Sequence, residues 1–216
     1  MTKISVSMLA SDYSKFGEEA LRMQRAGVDF LHMDVMDGCF VPNISFGAGV
    51  IKAVHKVCDA PLDVHLMVND PMSQIKFFAE AGADLISFHL ESSSSAVQTL
   101  ELIRSFGVKS ALAIKPGTAA EEVYPLLSLC DMVLVMTVEP GYGGQAFIPE
   151  TIEKIRQLRE YAGSDLDIEV DGGINARTAP LVKEAGANVL VAGTGLFKAE
   201  DMAQANAALK TPQKGV

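Results

Sequence analysis

EAGANVLV, at residues 184–191, has close variants at three other places in the chain. RAGVDFL, EAGADLI and SFGVKSAL occupy residues 25–31, 80–86 and 105–112. In each phrase a glycine ends an amphipathic segment, and an apolar run rich in β-formers follows. Glycine just past a helix is the usual left-handed cap. Each phrase therefore predicts the end of a helix, a short loop and the start of a strand.

The four glycines recur at spacings close to one, two or three units of about 26 residues, the length of one strand plus one helix. Strands are predicted over residues 3–8, 28–35, 61–67, 84–89, 108–114, 131–137, 166–171 and 188–192. Helices are predicted near residues 14–26, 47–57, 71–81, 94–106, 119–129, 149–161, 175–185 and 200–209.

Eight such units predict an α/β protein of the (β/α)₈ TIM-barrel type, with eight parallel strands. We expect one domain over residues 1–216, with a frayed polar tail at 211–216. The alternative is a doubly wound open sheet. That sheet would leave two strand edges, and no nucleotide-binding G-x-G-x-x-G follows the first strand.

Composition limits the class of protein. Of the 216 residues, 49 % are hydrophobic and 21 % are charged, as in ordinary globular proteins. The net charge of −9 argues against nucleic acid and anionic membranes as partners, and no apolar run approaches the roughly 20 residues of a transmembrane helix. Three cysteines without a C-x-x-C pair, and a first segment without a signal-peptide core, favour the reducing cytoplasm.

Ionisable residues inside three predicted strands point to a functional site. Because side chains alternate along a strand, His32 and Asp34 of LHMDVMDG share one face, opposite a purely apolar face. The same rule places His65 of LDVHLMV and Asp171 of DIEVDGG on the polar faces of their strands. Buried ionisable groups cost free energy unless they are paired or bind a metal. A simple His–Asp hydrogen bond at a strand end is the alternative.

These residues would converge in a barrel, because the active site lies where the carboxyl ends of all strands meet. His32, Asp34, His65 and Asp171 would then form an N₂O₂ set. Such a set suits one divalent ion, either Zn²⁺, Fe²⁺, Mn²⁺ or Co²⁺. Zn²⁺ is favoured, although the ligand types alone do not choose among these metals.

Glycine-rich loops follow the last three strands: EPGYGGQ (139–145), DGGIN (171–175) and AGTGLF (192–197). Loops after the seventh and eighth strands of this fold usually bind phosphate through backbone N–H groups. Gly173, Gly193 and Thr194 are the expected donors, with Gly144 closing from the neighbouring loop. The alternative is that these glycines only form tight turns.

Six motifs resemble those of the ribulose-phosphate 3-epimerase family in order and spacing, from about Ser5 to Phe197: HMDVMDGCFVPNISFG, LDVHLMV, AIKPGT, VMTVEPGYGGQ, EVDGGIN and AGTGLF. The resemblance implies a metal-dependent isomerase of the pentose phosphate pathway that interconverts D-ribulose 5-phosphate and D-xylulose 5-phosphate. It implies that His32, Asp34, His65 and Asp171 bind the metal and that Asp34 and Asp171 are the two acid/base residues. It also implies a substrate site built from Ser7, Met36, His65, Met67, Met136, Gly141, Tyr142, Gly143, Gly144, Gly172, Gly173, Gly193 and Thr194. We expect a phosphorylated ketose and further copies of this chain as partners.

The implied reaction accounts for these residue types. Epimerisation at C3 removes the proton beside the C2 carbonyl and returns a proton to the opposite face, through a cis-enediolate whose charge a metal stabilises. Inversion needs one acid/base group on each face. The second and seventh strands are three steps apart around the ring, so Asp34 and Asp171 can flank a sugar at the barrel mouth. Met36, Met67 and Met136 either wall the site against water or fill the core.

Three residues depart from the family pattern: Tyr142 where phenylalanine is frequent, Cys39 where histidine is common, and Thr194 where serine is frequent. The last lies at the expected phosphate site and leaves the identity of the phosphosugar open. A 3-epimerase of a six-carbon ketose phosphate, such as allulose 6-phosphate, is therefore the alternative.

Two other functions are compatible with the fold. A Schiff-base aldolase would use Lys115 of AIKPG as its nucleophile, but this chemistry leaves His32 and His65 without a role. A non-catalytic barrel would bind the phosphate without proton exchange at C3, and the pair of aspartates argues against it.

Overall fold

The computed structural model describes residues 1–211 and contains a closed barrel of eight parallel strands in sequence order, with the last strand paired to the first. The strands are β1 Lys3–Ser7, β2 Phe30–Met36, β3 Leu62–Met67, β4 Leu85–His89, β5 Lys109–Ile114, β6 Met132–Met136, β7 Asp167–Asp171 and β8 Val189–Ala192. The predicted (β/α)₈ barrel is confirmed. The open-sheet alternative is wrong, because every one of these strands is paired on both sides.

Helices alternate with the strands and cover the outside of the barrel. The α-helices are α1 Phe16–Arg25, α2 Ala48–His55, α3 Ile75–Ala81, α4 Ala96–Ser105, α5 Thr151–Ala162, α6 Ala179–Ala185, α7 Thr194–Phe197 and α8 Met202–Lys210. Short 3₁₀ helices at Met8–Ala10 and Tyr13–Lys15, and the single turn of α7, were not predicted.

The helix predicted over residues 119–129 is wrong as a single α-helix. Two 3₁₀ helices replace it, at Ala120–Glu122 and Tyr124–Leu129. Pro125 lies at the start of the second. Its nitrogen has no hydrogen to donate, and its ring clashes with a continuing α-helix, so the chain starts a new helix there.

The four glycines of the repeated phrases have the predicted left-handed conformation. The φ angles are +76° at Gly27, +101° at Gly82, +74° at Gly107 and +114° at Gly186. Gly82 and Gly186 are the C-caps of α3 and α6. The repeat therefore marks the turn from each of four helices into the next strand.

The alternation of side chains divides the strands as predicted. Leu31, Met33 and Val35 belong to the apolar core between strands and helices. The register of β2 against β3 places Asp34 beside His65. At the amino ends of the strands, a small apolar cluster containing Leu85, Ala111, Met132 and Val189 fills the barrel. The amino end also carries a salt bridge of 2.6 Å between Lys3 and Asp167, the first residues of β1 and β7, whereas the buried histidines and their carboxylates lie in the middle and at the carboxyl end of the barrel.

Within residues 1–211, no helix has both the length and the apolar character needed to cross a membrane. The frayed tail predicted at 211–216 lies, apart from Thr211, outside the described residues.

Candidate active site

Four of the predicted site residues meet at the carboxyl end of the barrel. One ligand atom from each of His32, Asp34, His65 and Asp171 lies within 4.8 Å of the others. The Oδ1 atom of Asp34 is 3.3 Å from Nε2 of His32 and 3.5 Å from Nδ1 of His65. The Oδ2 atom of Asp171 is 3.9 Å from Nε2 of His32. Three strands thus bring two nitrogens and two carboxylates to one point, as the strand alternation predicts.

The donors at this point fit a divalent cation. Both histidines are fully buried, yet within residues 1–211 neither Nε2 of His32 nor Nδ1 of His65 has a hydrogen-bond partner. Such orphaned nitrogens cost free energy unless a ligand satisfies them. Metal–ligand bonds of about 2.0–2.1 Å in tetrahedral geometry place neighbouring donor atoms roughly 3.3 Å apart. The shortest separations around Asp34 match this value, and its carboxylate supplies compensating negative charge.

The ring of His32 is held in place by a second carboxylate, on the side of the ring that faces away from the cluster. Its Nδ1 lies 2.6 Å from Oδ2 of Asp63, which also accepts a hydrogen bond of 2.8 Å from the Ser5 hydroxyl. Burial would lower the pKa of His32, but Asp63 and Asp34 outweigh it and raise the pKa well above its ordinary value. Burial and the nearby Asp63 charge raise the pKa of the Glu169 carboxyl well above its usual range. Burial would raise the pKa of Asp63 as well, but the adjacent His32 lowers it, so Asp63 is the more acidic of these two buried carboxyls.

His65 is held from the side by a third histidine. Its Nε2 lies 3.0 Å from Nε2 of His89, and Nδ1 of His89 lies 3.1 Å from Oε2 of Glu91. Burial lowers the pKa of His89 to about 4. Burial alone would raise the pKa of Glu91, but hydrogen bonds from His89, from Thr118 and from the backbone N–H of Lys115 lower it to about 2.

The two aspartates of the cluster have opposite proton affinities. Burial would raise the pKa of Asp34, but the adjacent imidazoles of His32 and His65 lower it well below its usual range. Burial and the negative charge of Asp34 raise the pKa of Asp171 to about 7. At neutral pH Asp34 is ionised, whereas Asp171 exchanges its proton readily. This difference is the usual arrangement of an acid paired with a base.

A cavity of about 400 Å³ opens directly above the cluster, with Asp34 and Asp171 in its wall. The other predicted substrate-site residues that line it are Ser7, Met36, Met67, Met136, Gly141, Tyr142, Gly143, Gly144, Gly172, Gly173, Gly193 and Thr194. His65, predicted both as a ligand and as a substrate contact, lies fully buried outside the lining. The structure thus brings together every predicted site residue, with the histidines beneath the aspartates.

Polar contacts across the barrel mouth and within one loop shape the entrance of this cavity. The Asn43 side chain donates to the carbonyl of Gly141, joining the loop after β2 to the loop after β6. The Gln145 side chain donates to the carbonyl of Tyr142 within the same loop. Gly173 adopts a φ of +66°, and a Cβ there would lie 2.7 Å from the backbone nitrogen of Phe147. Close backbone packing, which only glycine permits, therefore sets the spacing of these loops.

Several residues of the site were missed in the sequence. Glu139, Asn175 and Gly195 line the cavity, but the first two lie in loops and Gly195 lies in the single turn of α7, where no periodicity identifies them. His89 is different, because β4 shows the same alternation as β2 and β3 and places Ser87 and His89 on its inner face. Applying the alternation rule to β4 would have found it.

Lys115, the nucleophile required by the aldolase alternative, does not line the cavity. Its Nζ lies 4.1 Å from the centre of the Phe40 ring, in a cation–π contact. The backbone N–H of Lys115 is bound by Glu91. The position of this lysine gives no support to Schiff-base chemistry.

Comparison with known proteins agrees with this geometry. The model of the ribulose-phosphate 3 epimerase family matches residues 3–197. The ribulose-phosphate 3-epimerase of Bacillus subtilis (strain 168) is 44 % identical over 209 residues, covering 95 % of this chain and 96 % of that protein. The cytoplasmic isoform of ribulose-phosphate 3-epimerase from Oryza sativa subsp. japonica is 46 % identical over 217 residues, covering 99 % and 95 %.

Among solved structures, KGPDC from Streptococcus mutans superposes with a TM-score of 0.72 at 16 % identity, over 97 % of this chain and 96 % of that one. At that identity the likeness concerns the fold alone. The family match and the two sequence relatives span nearly the whole chain, including all four residues of the cluster. On this evidence, the chain belongs to the ribulose-phosphate 3-epimerase family.

Proposed function

We propose that this protein is an epimerase that interconverts D-ribulose 5-phosphate and D-xylulose 5-phosphate by proton transfer at C3. One observation carries the proposal beyond family membership. Asp34 and Asp171 stand together in the cavity wall with their proton affinities pushed in opposite directions. A reaction that removes a proton on one face and returns a proton on the other needs such a pair.

His32, Asp34, His65 and Asp171 would hold one divalent metal ion, with Zn²⁺ favoured. When bound, the ion supplies a positive charge that stabilises negative charge developing on substrate oxygen. The chain's own part is to keep four donors aimed at one point. Asp63 holds the ring of His32 through Nδ1, and this leaves Nε2 directed at the cluster.

Two carboxyls then move the protons. In one direction, ionised Asp34 removes the proton at C3 of the substrate, and the carboxylic acid of Asp171 donates a proton to the opposite face of the resulting enediolate. In the reverse direction the two exchange roles. The Ser7 hydroxyl donates a hydrogen bond of 2.7 Å to Oδ2 of Asp34 and keeps that carboxylate in place.

The methionines give the reacting centre an apolar wall. Met36, Met67 and Met136 lie at the carboxyl ends of their strands, are almost fully buried and still reach the cavity. A wall without polar groups excludes water from C3 and strengthens the electrostatic interactions there.

The phosphate group of the substrate would bind to backbone N–H groups on the side of the cavity formed by the loops after β6, β7 and β8. Gly173, Gly193 and Thr194 belong to the loops after β7 and β8, and Gly144 lies in the loop after β6. The short helix α7 begins at Thr194, so its free N–H groups face the same side. Among the described residues no lysine or arginine lines the cavity.

Removing the phosphate from the substrate should therefore reduce catalysis strongly. We expect kcat/KM for D-ribulose to be at least about 10³-fold below that for D-ribulose 5-phosphate, since binding energy from a remote group is used at the reacting centre. Steady-state kinetics with both sugars, on one metal-replete sample, measures the ratio. Equal values of kcat/KM for the two sugars would contradict a phosphate site in these loops.

The proposed reaction is tested by proton NMR of D-ribulose 5-phosphate in D₂O, with metal content determined on the same sample. We expect xylulose 5-phosphate to form with one deuterium at C3. Binding without exchange would identify a non-catalytic phosphate-binding barrel. Faster turnover of allulose 6-phosphate in a parallel reaction would assign the six-carbon ketose phosphate as the substrate.

The expected homo-oligomer and the cytoplasmic location stay predictions. Light scattering coupled to size-exclusion chromatography measures the first of these directly. A monomer at micromolar concentration would contradict it.

A further inference from the structure

A chain of three hydrogen-bonding side chains leads away from the proposed metal site. Nε2 of His65 meets Nε2 of His89 at 3.0 Å, and Nδ1 of His89 meets Oε2 of Glu91 at 3.1 Å. Both rings are fully buried, whereas the Glu91 side chain is 23 % exposed. No step of the proposed reaction uses His89 or Glu91.

The direction of these hydrogen bonds follows from what each group can donate. Oε1 of Glu91 accepts a hydrogen bond of 2.8 Å from the backbone N–H of Lys115 and another from the Thr118 hydroxyl. Because Oε1 accepts these two hydrogen bonds and the side chain reaches solvent, Glu91 is a carboxylate and can only accept. Nδ1 of His89 must therefore carry a proton and donate a hydrogen bond to Oε2 of Glu91.

The imidazole of His89 is neutral and carries a proton on Nδ1 alone. It lies buried against the Phe40 ring, with centroids 4.8 Å apart, and Nζ of Lys115 is 4.1 Å from the centre of the same aromatic ring. A second positive charge in this buried place would be desolvated and close to a cation. Nε2 of His89 is therefore an acceptor, and the contact at 3.0 Å requires His65 to donate from its own Nε2. Nδ1 of His65 is left bare, facing Asp34.

We infer that His89 and Glu91 are positioning residues that fix the tautomer of His65, so that its Nδ1 lone pair is always presented to the proposed metal ion. This inference rests on the metal site of the proposed function. His32 contacts the carboxylate of Asp63 directly, whereas His65 is connected to the carboxylate of Glu91 through the ring of His89. Partners of this kind, one step removed from a metal, set ligand orientation and basicity.

The structure also says what replacing Glu91 by glutamine would do. The backbone N–H of Lys115 can only donate, so the glutamine oxygen must take the position of Oε1. The amide NH₂ then faces Nδ1 of His89 as a donor. Nδ1 of His89 becomes the acceptor, its proton moves to Nε2, and His65 must in turn carry its proton on Nδ1. The isosteric change E91Q thus reverses every hydrogen bond of the chain and places a hydrogen where the metal would bind.

The test combines metal affinity with NMR of the imidazole nitrogens. The chain has four histidines, so ¹⁵N signals can be assigned by single substitutions. In the zinc-free wild type we expect the proton of His65 on Nε2. We expect E91Q to move it to Nδ1 and to weaken zinc binding, measured by chelator competition, by about 10- to 100-fold.

E101Q is the matched control, because Glu101 is exposed on α4 and its replacement removes the same charge. It should bind zinc as the wild type does. In an H89Q background, E91Q should cause no further loss of zinc affinity, because the connection to His65 is already broken. A general electrostatic effect of the Glu91 charge on zinc binding would still be seen in that background. The inference is overturned if wild-type His65 carries its proton on Nδ1, or if E91Q binds zinc as tightly as E101Q. A wild type that binds no zinc but has the Nε2 proton on His65 would instead contradict the proposed metal site alone.

Discussion

Replacing Asp34 or Asp171 by asparagine is expected to lower the rate of net inversion at C3 by at least about 10²-fold, the smaller end of what a positioned acid or base contributes. Asparagine has nearly the same shape but neither takes nor gives the proton. The two carboxyls meet at one point from β2 and β7, so each can serve one face of the sugar. Formation of xylulose 5-phosphate by D34N and D171N, followed by NMR, measures the loss.

Proton exchange should survive in one direction even where inversion is lost. In D34N, Asp171 can still remove the C3 hydrogen that one epimer presents and return deuterium from D₂O to the same face. Exchange without inversion would then occur for that epimer only, and D171N should show it for the other epimer. Deuterium incorporation into recovered substrate distinguishes the two variants.

Loss of metal would confound this result, because both aspartates are proposed ligands. Metal content must therefore be measured for each variant, and only metal-replete samples are compared. D165N is the matched control, since Asp165 is an exposed aspartate in the loop before β7. A metal-replete D34N or D171N enzyme with inversion at the rate of D165N would show that a single base reaches both faces.

Chelation is expected to abolish epimerase activity, and H32A and H65A are expected to lose the metal. Each substitution removes one of the two buried imidazole nitrogens that have no hydrogen-bond partner in the described part of the chain. It also leaves Asp34 and Asp171 close together without a compensating cation. Elemental analysis after dialysis, together with activity before and after addition of Zn²⁺, Fe²⁺, Mn²⁺ or Co²⁺, measures the effect and ranks the metals.

H55A is the control for these histidine variants, because His55 is exposed at the end of α2. It should keep both metal and activity. Full activity in a wild-type sample shown by elemental analysis to be free of metal would refute the metal-dependent mechanism. Retention of one metal per chain in both H32A and H65A would place the ion elsewhere.

The fold could be predicted because its signals are local. A glycine after a helix takes a positive φ whatever lies elsewhere in the chain, and all four glycines of the repeated phrases do so. The prediction failed near Pro125, where a missing N–H group interrupts a helix that the apolar pattern alone would continue. It also missed α7, since four residues are too few to show a helical period.

Much of the candidate site could be predicted for a related reason. Alternation along a strand decides which side chains face the barrel axis, and parallel strands bring their carboxyl ends to one place. His32, Asp34, His65 and Asp171 follow from these two rules. The loop residues of the cavity, such as Glu139 and Asn175, follow from neither and depended on the resemblance or were missed.

The amino-acid sequence by itself determined the barrel and the inward-facing residues, because periodicity and residue type act over a few neighbouring positions, and the class of chemistry followed from the resemblance of its motifs to a known family. Only the tertiary structure decided the separate proton affinities of Asp34 and Asp171 and the tautomer of His65. Those properties depend on burial and on contacts of about 3 Å between strands. His65 and His89 are 24 positions apart in the chain, and nothing local to either residue indicates that their rings meet. Electrostatic and hydrogen-bond energies fall steeply with distance, so they are set only when the barrel has closed.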